Sequence, residues 1–121
     1  MNLEGKTLSA VLNDKQIHVL LQANVGQMLR THTDIWDFVR EYYEQNQTVP
    51  PVNVVKQKFS DFDYSSDTGA TKHHLDELKT EFLNDNVKVM LRSAATQVQE
   101  GDSMSALDVL MSETARLKHI T

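Results

Sequence analysis

From Thr71 to Ile120 the sequence is helix-compatible almost without interruption, and the one break, Gln99-Glu100-Gly101-Asp102-Ser103, has the composition of a tight reversal. Gly101 suits the left-handed position just past a helix end, and Asp102 or Ser103 supplies an oxygen for the orphan N–H groups that open the next helix. The last fifty residues therefore predict an antiparallel helical hairpin. A long hairpin without a catalytic signature is more often an interaction device than an active site.

The apolar pattern divides this stretch further. At about 100° per residue, Leu75, Leu78 and Phe82 share one stripe. Val87, Met90, Leu91, Ala94 and Val98 form a second, rotated by roughly 150° from the first. The phase changes at Asn84-Asp85-Asn86. Three such weak helix formers cost together about 2 kcal/mol relative to alanine. Tertiary packing can override that cost, so both a continuous and a broken helix satisfy the pattern. After the turn, Met104, Leu107, Leu110, Met111 and Leu117 make a face suited to packing against the Val87 to Val98 half. The Leu75, Leu78 and Phe82 stripe is left to anchor the hairpin to the rest of the chain.

The first seventy residues read as a small helical bundle. Leu8, Val11 and Leu12 fall at helical spacing in residues 3–13, and Ile17, Leu20 and Leu21 repeat it after Asn13-Asp14, with Asp14 as a cap for the second helix. Gly26 marks a turn. Leu29, His32, Ile35, Trp36, Val39, Tyr42 and Tyr43 then line one face of a core helix closed by Asn46-Gln47-Thr48. Pro50-Pro51 introduces a short helix, since a first helical turn tolerates the missing N–H, and Val52, Val55 and Phe59 form its buried side. Ser60 to Ala70, with Ser65-Ser66-Asp67-Thr68-Gly69, reads as a connecting loop. No stretch alternates polar and apolar residues long enough to require a strand. The expected fold is all-α, a small helical bundle (1–70) followed by a helix and helical hairpin (71–121), within one structural domain of ordinary size for 121 residues.

Charge and motif content exclude several functions. The net charge is −5, with six basic against nine acidic residues before position 71 and six against eight from there on. Phosphate neutralisation by clustered Lys and Arg supplies most non-specific nucleic-acid affinity, so direct binding of nucleic acid by this chain is disfavoured. Gly5, Gly26, Gly69 and Gly101 are isolated, so neither a phosphate-cradling loop nor a dinucleotide fingerprint is present. There is no cysteine, which removes disulfides and thiolate metal sites. No run of eighteen apolar residues and no secretory leader is present, and the expected location is the cytoplasm.

The remaining candidates have plainer readings. His73-His74 with Asp76 and Glu77 lacks the spacing of a metal site, because adjacent helical side chains diverge, and reads as a solvated helix start. His32 reads as a buried, hydrogen-bonded structural histidine rather than a catalytic group or ligand. Asp34, Asp37, Glu41 and Glu44 form a solvated face with no nucleophile beside them. Trp36, Tyr42 and Tyr43 lack the interleaved basic residues of a base-stacking platform and read as core. Catalytic, cofactor and metal residues are all expected to be absent. What is left is a candidate interface drawn from the hairpin: Val87, Met90, Leu91, Val98, Leu107, Val109, Leu110 and Leu117. Val109 and Ile120 lie off the main stripe of the last helix; scattered exposed apolar residues are normal, and a second interface is the alternative reading.

In order and length these elements resemble the N-terminal domain of the DnaB-type replicative hexameric helicases. The resemblance rests on an acidic residue and leucines on a short helix ending in aspartate, here Glu4, Leu8, Leu12 and Asp14. A helix opening with histidine follows, His32-Thr33-Asp34-Ile35-Trp36, then a polar turn into a short helix, Asn46 to Val52. Leu75 to Leu78 and the hairpin Val87 to Leu117 complete it. Each motif is mostly core spacing, and Leu29 stands where many members carry an aromatic residue. The resemblance implies a non-catalytic role: subunit association through the hairpins into a collar, and docking of primase or a helicase loader. The family's linker and ATP-binding motor would follow Thr121. The rival reading is a small helical regulatory or DNA-binding protein unrelated to a helicase, such as a phage-encoded inhibitor or a helix-turn-helix protein. Its reader would be the helix from Thr31 to Tyr43, which has only Arg30 and Arg40 nearby.

Overall fold

The computed structural model describes residues 2–120, and every described element is helical. The order is α1 (Leu3–Asp14), α2 (Ile17–Ala23), a 3-10 turn (Val25–Met28), α3 (Thr33–Asn46), α4 (Val52–Lys58), α5 (Thr71–Gln99) and α6 (Ser103–Ile120). Among the described residues there is no strand. The all-α reading holds.

The chain divides into two compact units within α5, one reaching Leu78 and the other starting at Lys79. The first unit owns most of the core. Leu8, Val11, Leu20, Val25, Val39 and Val55 are fully buried there, and Ile35, Trp36, Leu75 and Leu78 nearly so. Burial of Leu75 and Leu78 explains why the division lies some residues beyond the end of the loop.

Local chemistry sets the helix ends. Asn2 caps α1 by accepting the Glu4 N–H, and Lys15 ends that helix in the left-handed region at φ 61°. Gln47 ends α3 in the same way, at φ 60°. Pro51 sits one position outside α4, at its cap, with Pro50 buried before it. On α4 only Val55 is fully buried, and Val52 and Phe59 are half-buried. Ser60 to Ala70 is indeed without helix, yet α1 straps it down. The Asn13 amide donates to the Ser65 carbonyl and to Thr68 Oγ1, both at 3.0 Å, and the Tyr64 hydroxyl donates to Asn13 Oδ1. The Ser65 N–H donates to Ser9 Oγ at 3.2 Å.

Asp14 Oδ1 accepts the Gln16 N–H at 3.0 Å, so the side chain holds the entry to α2, although Gln16 itself occupies the capping position. The side chain also has a second, distant role. Its carboxylate accepts the Thr71 N–H at 2.9 Å and the Thr71 hydroxyl at 2.7 Å. It therefore caps the first residue of α5 from 57 positions away, a long-range partnership that local spacing does not reveal.

In the second unit α5 passes through Asn84-Asp85-Asn86 as one helix. The Asn86 amide donates to the Phe82 carbonyl at 2.8 Å and its Oδ1 accepts from Arg116 at 3.1 Å, so the polar side chain is held without breaking the backbone ladder. The reversal after Gln99 is a Schellman motif: Gly101 N–H donates to the Val98 carbonyl at 3.0 Å and Asp102 N–H to the Gln97 carbonyl at 2.8 Å. Gly101 has φ 82°, which a side-chain-bearing residue resists. Asp102 then caps α6 through the Ser105 N–H at 3.1 Å. Pairing of Asn86 with Arg116 and of Met90 with Thr114 fixes an antiparallel register between the two helices.

Candidate functional site

The seam between α5 and α6 is narrower than the sequence implies. Its buried residues are Ala94, Ala106 and Leu117, flanked by half-buried Leu83, Met90, Val109 and Leu110. Small residues at 94 and 106 let the backbones approach, and the heavier apolar side chains are turned outward. Met104 is 69 % exposed, Leu107 51 % and Met111 70 %, so these three do not form the expected packing face. The reason is phase: Ala106, Leu110, Glu113 and Leu117 advance by four, three and four residues and share one face. Met104, Leu107 and Met111 share another, well over 90° away at about 100° per residue.

Of the eight candidate interface residues, Leu91, Val98 and Leu107 are each more than half exposed and Val87 is 38 % exposed. Met90, Val109 and Leu110 are half-buried. Leu117 is 5 % exposed and lies in the seam. Val89 was missed: it is 62 % exposed, and its side chain lies off the Val87 to Val98 stripe.

Two shallow depressions flank the seam. One, of about 340 Å³, is a largely apolar pit lined by Leu83, Val87, Met90, Thr114, Leu117 and Lys118. The other, of about 230 Å³, is lined by Val89, Met90, Ser93, Val109, Ser112 and Glu113. Helical repetition assigns the exposed residues to one side or the other. Leu91 follows Val87 by one turn and Val98 follows Leu91 by two. Leu107 precedes Thr114 by two turns, and Met111 precedes Lys118 by two turns. All five therefore lie on the side of the pit. The Asn86 to Arg116 bond and the Arg116 to Glu113 pair at 2.7 Å lie on the other, more polar side.

The polar groups of the first unit are organised around one buried carboxylate. Glu4, 7 % exposed, accepts at Oε1 the backbone N–H groups of Arg30 at 2.9 Å, Thr31 at 3.1 Å and His32 at 3.1 Å. His32 occupies the cap position of α3, outside the helix, and its Nδ1 lies 2.7 Å from Thr31 Oγ1 and 3.7 Å from Glu4 Oε1. Its ring is hydrogen-bonded as expected but only partly covered. The carboxylate and the histidine, 28 residues apart, thus form one clasp between α1 and the entry to α3. An open polar cleft of about 380 Å³ lies beside it, lined by His32, Asp34, Lys58, Ser60 and Asp61 among others.

The two adjacent histidines part company. His73 is solvated and paired to Glu77 at 2.7 Å. His74 is buried, contrary to the solvated reading, and its Nε2 bonds to the Thr68 carbonyl. A carbonyl only accepts, so Nε2 carries the proton, and Nδ1 is left buried without a partner. On α3 the acidic residues do face solvent. Arg40 bridges Asp37 at 3.5 Å and Glu44 at 3.2 Å; some desolvation opposes the charge, but the bonds to the two carboxylates win and raise its pKa. Such exposed pairs add little to stability. Phe38, half-buried, stacks edge-on against Phe59 at 5.8 Å with Lys58 over its ring at 5.2 Å, and Trp36 is 4 % exposed. These aromatics serve packing.

Among the described residues no group of three or more His, Asp or Glu side chains is placed to hold a metal ion. None of the described helices is long and apolar enough to cross a membrane. No family model matches the sequence, and no curated protein or solved structure matches it either.

Proposed function

We propose that this chain is an assembly domain, the non-catalytic N-terminal domain of a DnaB-type replicative helicase. In that role the hairpin associates with other subunits and offers a docking surface to primase or a helicase loader. The observation supporting the reading is the outward apolar face of the second unit. Val87, Leu91, Val98, Leu107 and Met111 stand in water on one side of two helices whose own seam uses alanines. Fully covering a side chain of this kind is worth about 1.5–3 kcal/mol, and a coherent stripe left uncovered is a mark of a binding surface. The order of elements that resembles the helicase domain supplies the rest: Glu4, Leu8 and Leu12 on α1, His32 opening α3, and a short α4 before the hairpin.

Sedimentation velocity from 10 µM to 1 mM, with retention of the cognate primase on the immobilised chain, tests the proposal at an accessible range of concentrations (~100-fold). Concentration-dependent association together with primase retention is the expected outcome. A strict monomer that retains no primase would remove the support for it.

A further inference from the structure

A polar depression of about 360 Å³ lies in the first unit, away from the hairpin. Leu21 of α2, Asn24 and Gly26 around the 3-10 turn, and Trp36, Asp37 and Arg40 of α3 line it. Its volume is within the range of small-molecule sites. We infer that it binds a neutral planar heterocycle with adjacent hydrogen-bond donors and acceptors, a pattern that guanine, as its nucleoside, meets best. Such a site is independent of the assembly role proposed above.

The atom that points to a ligand is the indole nitrogen of Trp36. The residue is 4 % exposed, and a buried indole N–H ordinarily finds an acceptor. Nε1 bonds to no other described residue and is not sealed from solvent, so this donor is left to an occupant of the depression. Gly26 keeps the space beside it open. A Cβ there would lie 3.5 Å from both Cδ1 and Nε1 of the ring, so the 3-10 turn passes the indole edge with backbone alone.

The polar rim sets the chemistry of the occupant. Arg40 is already held by Asp37 at 3.5 Å and Glu44 at 3.2 Å, and Glu41 beside it is exposed. A phosphate or carboxylate would therefore meet no uncompensated positive charge. A neutral occupant has to accept from the indole N–H and from the guanidinium N–H groups that remain, and to donate to the Asp37 carboxylate. Guanine does both along one side: O6 and N7 accept, and N1–H with the N2 amino group donates side by side to the two oxygens of a carboxylate. Adenine donates through its amino group alone, flanked by ring nitrogens that only accept, and cannot satisfy both oxygens. Leu21 gives the face of the ring an apolar wall, and the Asn24 amide carries both a donor and an acceptor.

Trp36 is the only tryptophan, so its indole N–H gives one resonance in a nitrogen–proton correlation spectrum of the labelled chain and reports directly on the donor. Guanosine added up to about 2 mM should move that resonance saturably, and adenosine should bind at least about tenfold more weakly. Gly26→Ala puts a methyl group against the donor at an ordinary contact distance, which leaves the fold in place. Asp37→Asn removes one of the two acceptors for the paired donors at an exposed side chain. Each substitution should weaken guanosine binding at least about tenfold, with resonances distant from the change unmoved in the free protein. An indole resonance that stays put at about 2 mM guanosine, or that adenosine moves as readily, overturns the assignment. So does a guanosine shift that either substitution leaves undiminished, because the ligand would then sit elsewhere on the chain.

Discussion

Removing the Glu4 carboxylate should unfold more of the first unit's stability than any other single polar change. One oxygen accepts three backbone N–H groups, at 2.9, 3.1 and 3.1 Å, from a side chain that is itself 9 % exposed. Leaving a buried donor unsatisfied costs about 1–3 kcal/mol, whereas a donor that water can reach costs only the net value of its bond, about 0.5–1.5 kcal/mol. Arg30 and Thr31 are exposed residues and His32 is half-buried, so one N–H carries the larger cost and two the smaller. Adding the lost methylene at about 0.8 kcal/mol, Glu4→Ala should cost about 5 kcal/mol. Glu4→Gln keeps an oxygen in place and loses only the charge assistance, about 1 kcal/mol. Trp36 is the only tryptophan and is buried in this unit, so its emission during urea unfolding follows the relevant transition. With a slope of about 1 kcal/mol per molar urea, the midpoint should fall by about 1 M for Gln and by several molar for Ala, which unfolds in buffer if the unit holds less than that. The reasoning is refuted if Glu4→Ala loses less than about 1 kcal/mol, or if the two variants lose the same amount.

Four further outcomes follow from the geometry. Asp14→Ala should cost about 1–2 kcal/mol by releasing the start of α5, and a double-mutant cycle with Thr71→Val should show a coupling of about 1 kcal/mol, because the two side chains share a bond of 2.7 Å. Gly101→Ala, at φ 82°, should cost about 1 kcal/mol or more as read by thermal melting. Gly26→Ala should be neutral or mildly stabilising, since its added Cβ would meet the Trp36 ring at an ordinary 3.5 Å. The Asp102 carboxylate is held below its usual pKa of 3.8 by hydrogen bonds from the Ser105 hydroxyl and then its backbone N–H. Its contribution to α6 is therefore present above about pH 4 and fades as the pH falls through the lowered folded value; helicity of Asp102→Asn measured by circular dichroism between pH 5 and 2 should fall less steeply than that of the parent chain.

The helices and the reversal were legible because their signals are local. Gly101 and Asp102 announce a Schellman turn and a cap within a few residues, and the spacing of Ile35, Trp36 and Val39 marks the buried face of α3. The partnerships that tie the first unit together were not legible, because each joins residues far apart. Asp14 reaches Thr71, Glu4 reaches Arg30 to His32, and Asn13 holds the Ser65 to Thr68 strap. A polar residue at a helix end has several satisfactory partners, and only the folded chain selects one. His74 shows the same limit from the other side: its neighbour His73 is solvated, and nothing in the pair distinguishes the ring that a carbonyl six residues earlier draws inward.

The seam of the hairpin carries the most consequential difference between pattern and structure. Ranking faces by hydrophobic bulk placed Met104, Leu107 and Met111 inside with Ala94 and Leu117, yet the helices bury Ala94, Ala106 and Leu117 and leave those three outside. The two stripes on α6 compete for the seam, and bulk is a poor guide to which one wins. Small residues permit a closer approach and more dispersion contacts between backbones, and the turn constrains the rotation of α6 through Asp102 and Ser105. Had the bulky stripe won, Met104, Leu107 and Met111 would be covered within the hairpin, and Ala106, Leu110 and Leu117 would face solvent instead. With the small stripe inside, Val87, Leu91, Val98, Met104, Leu107 and Met111 stay exposed, and a surface that covered them fully would gain about 1.5–3 kcal/mol for each. Exchanging the stripes, with leucine at 94 and 106 and serine at 104, 107 and 111, should therefore remove association and leave helicity intact. A redesigned chain that still associates in sedimentation experiments would show that the outward stripe is not what drives it.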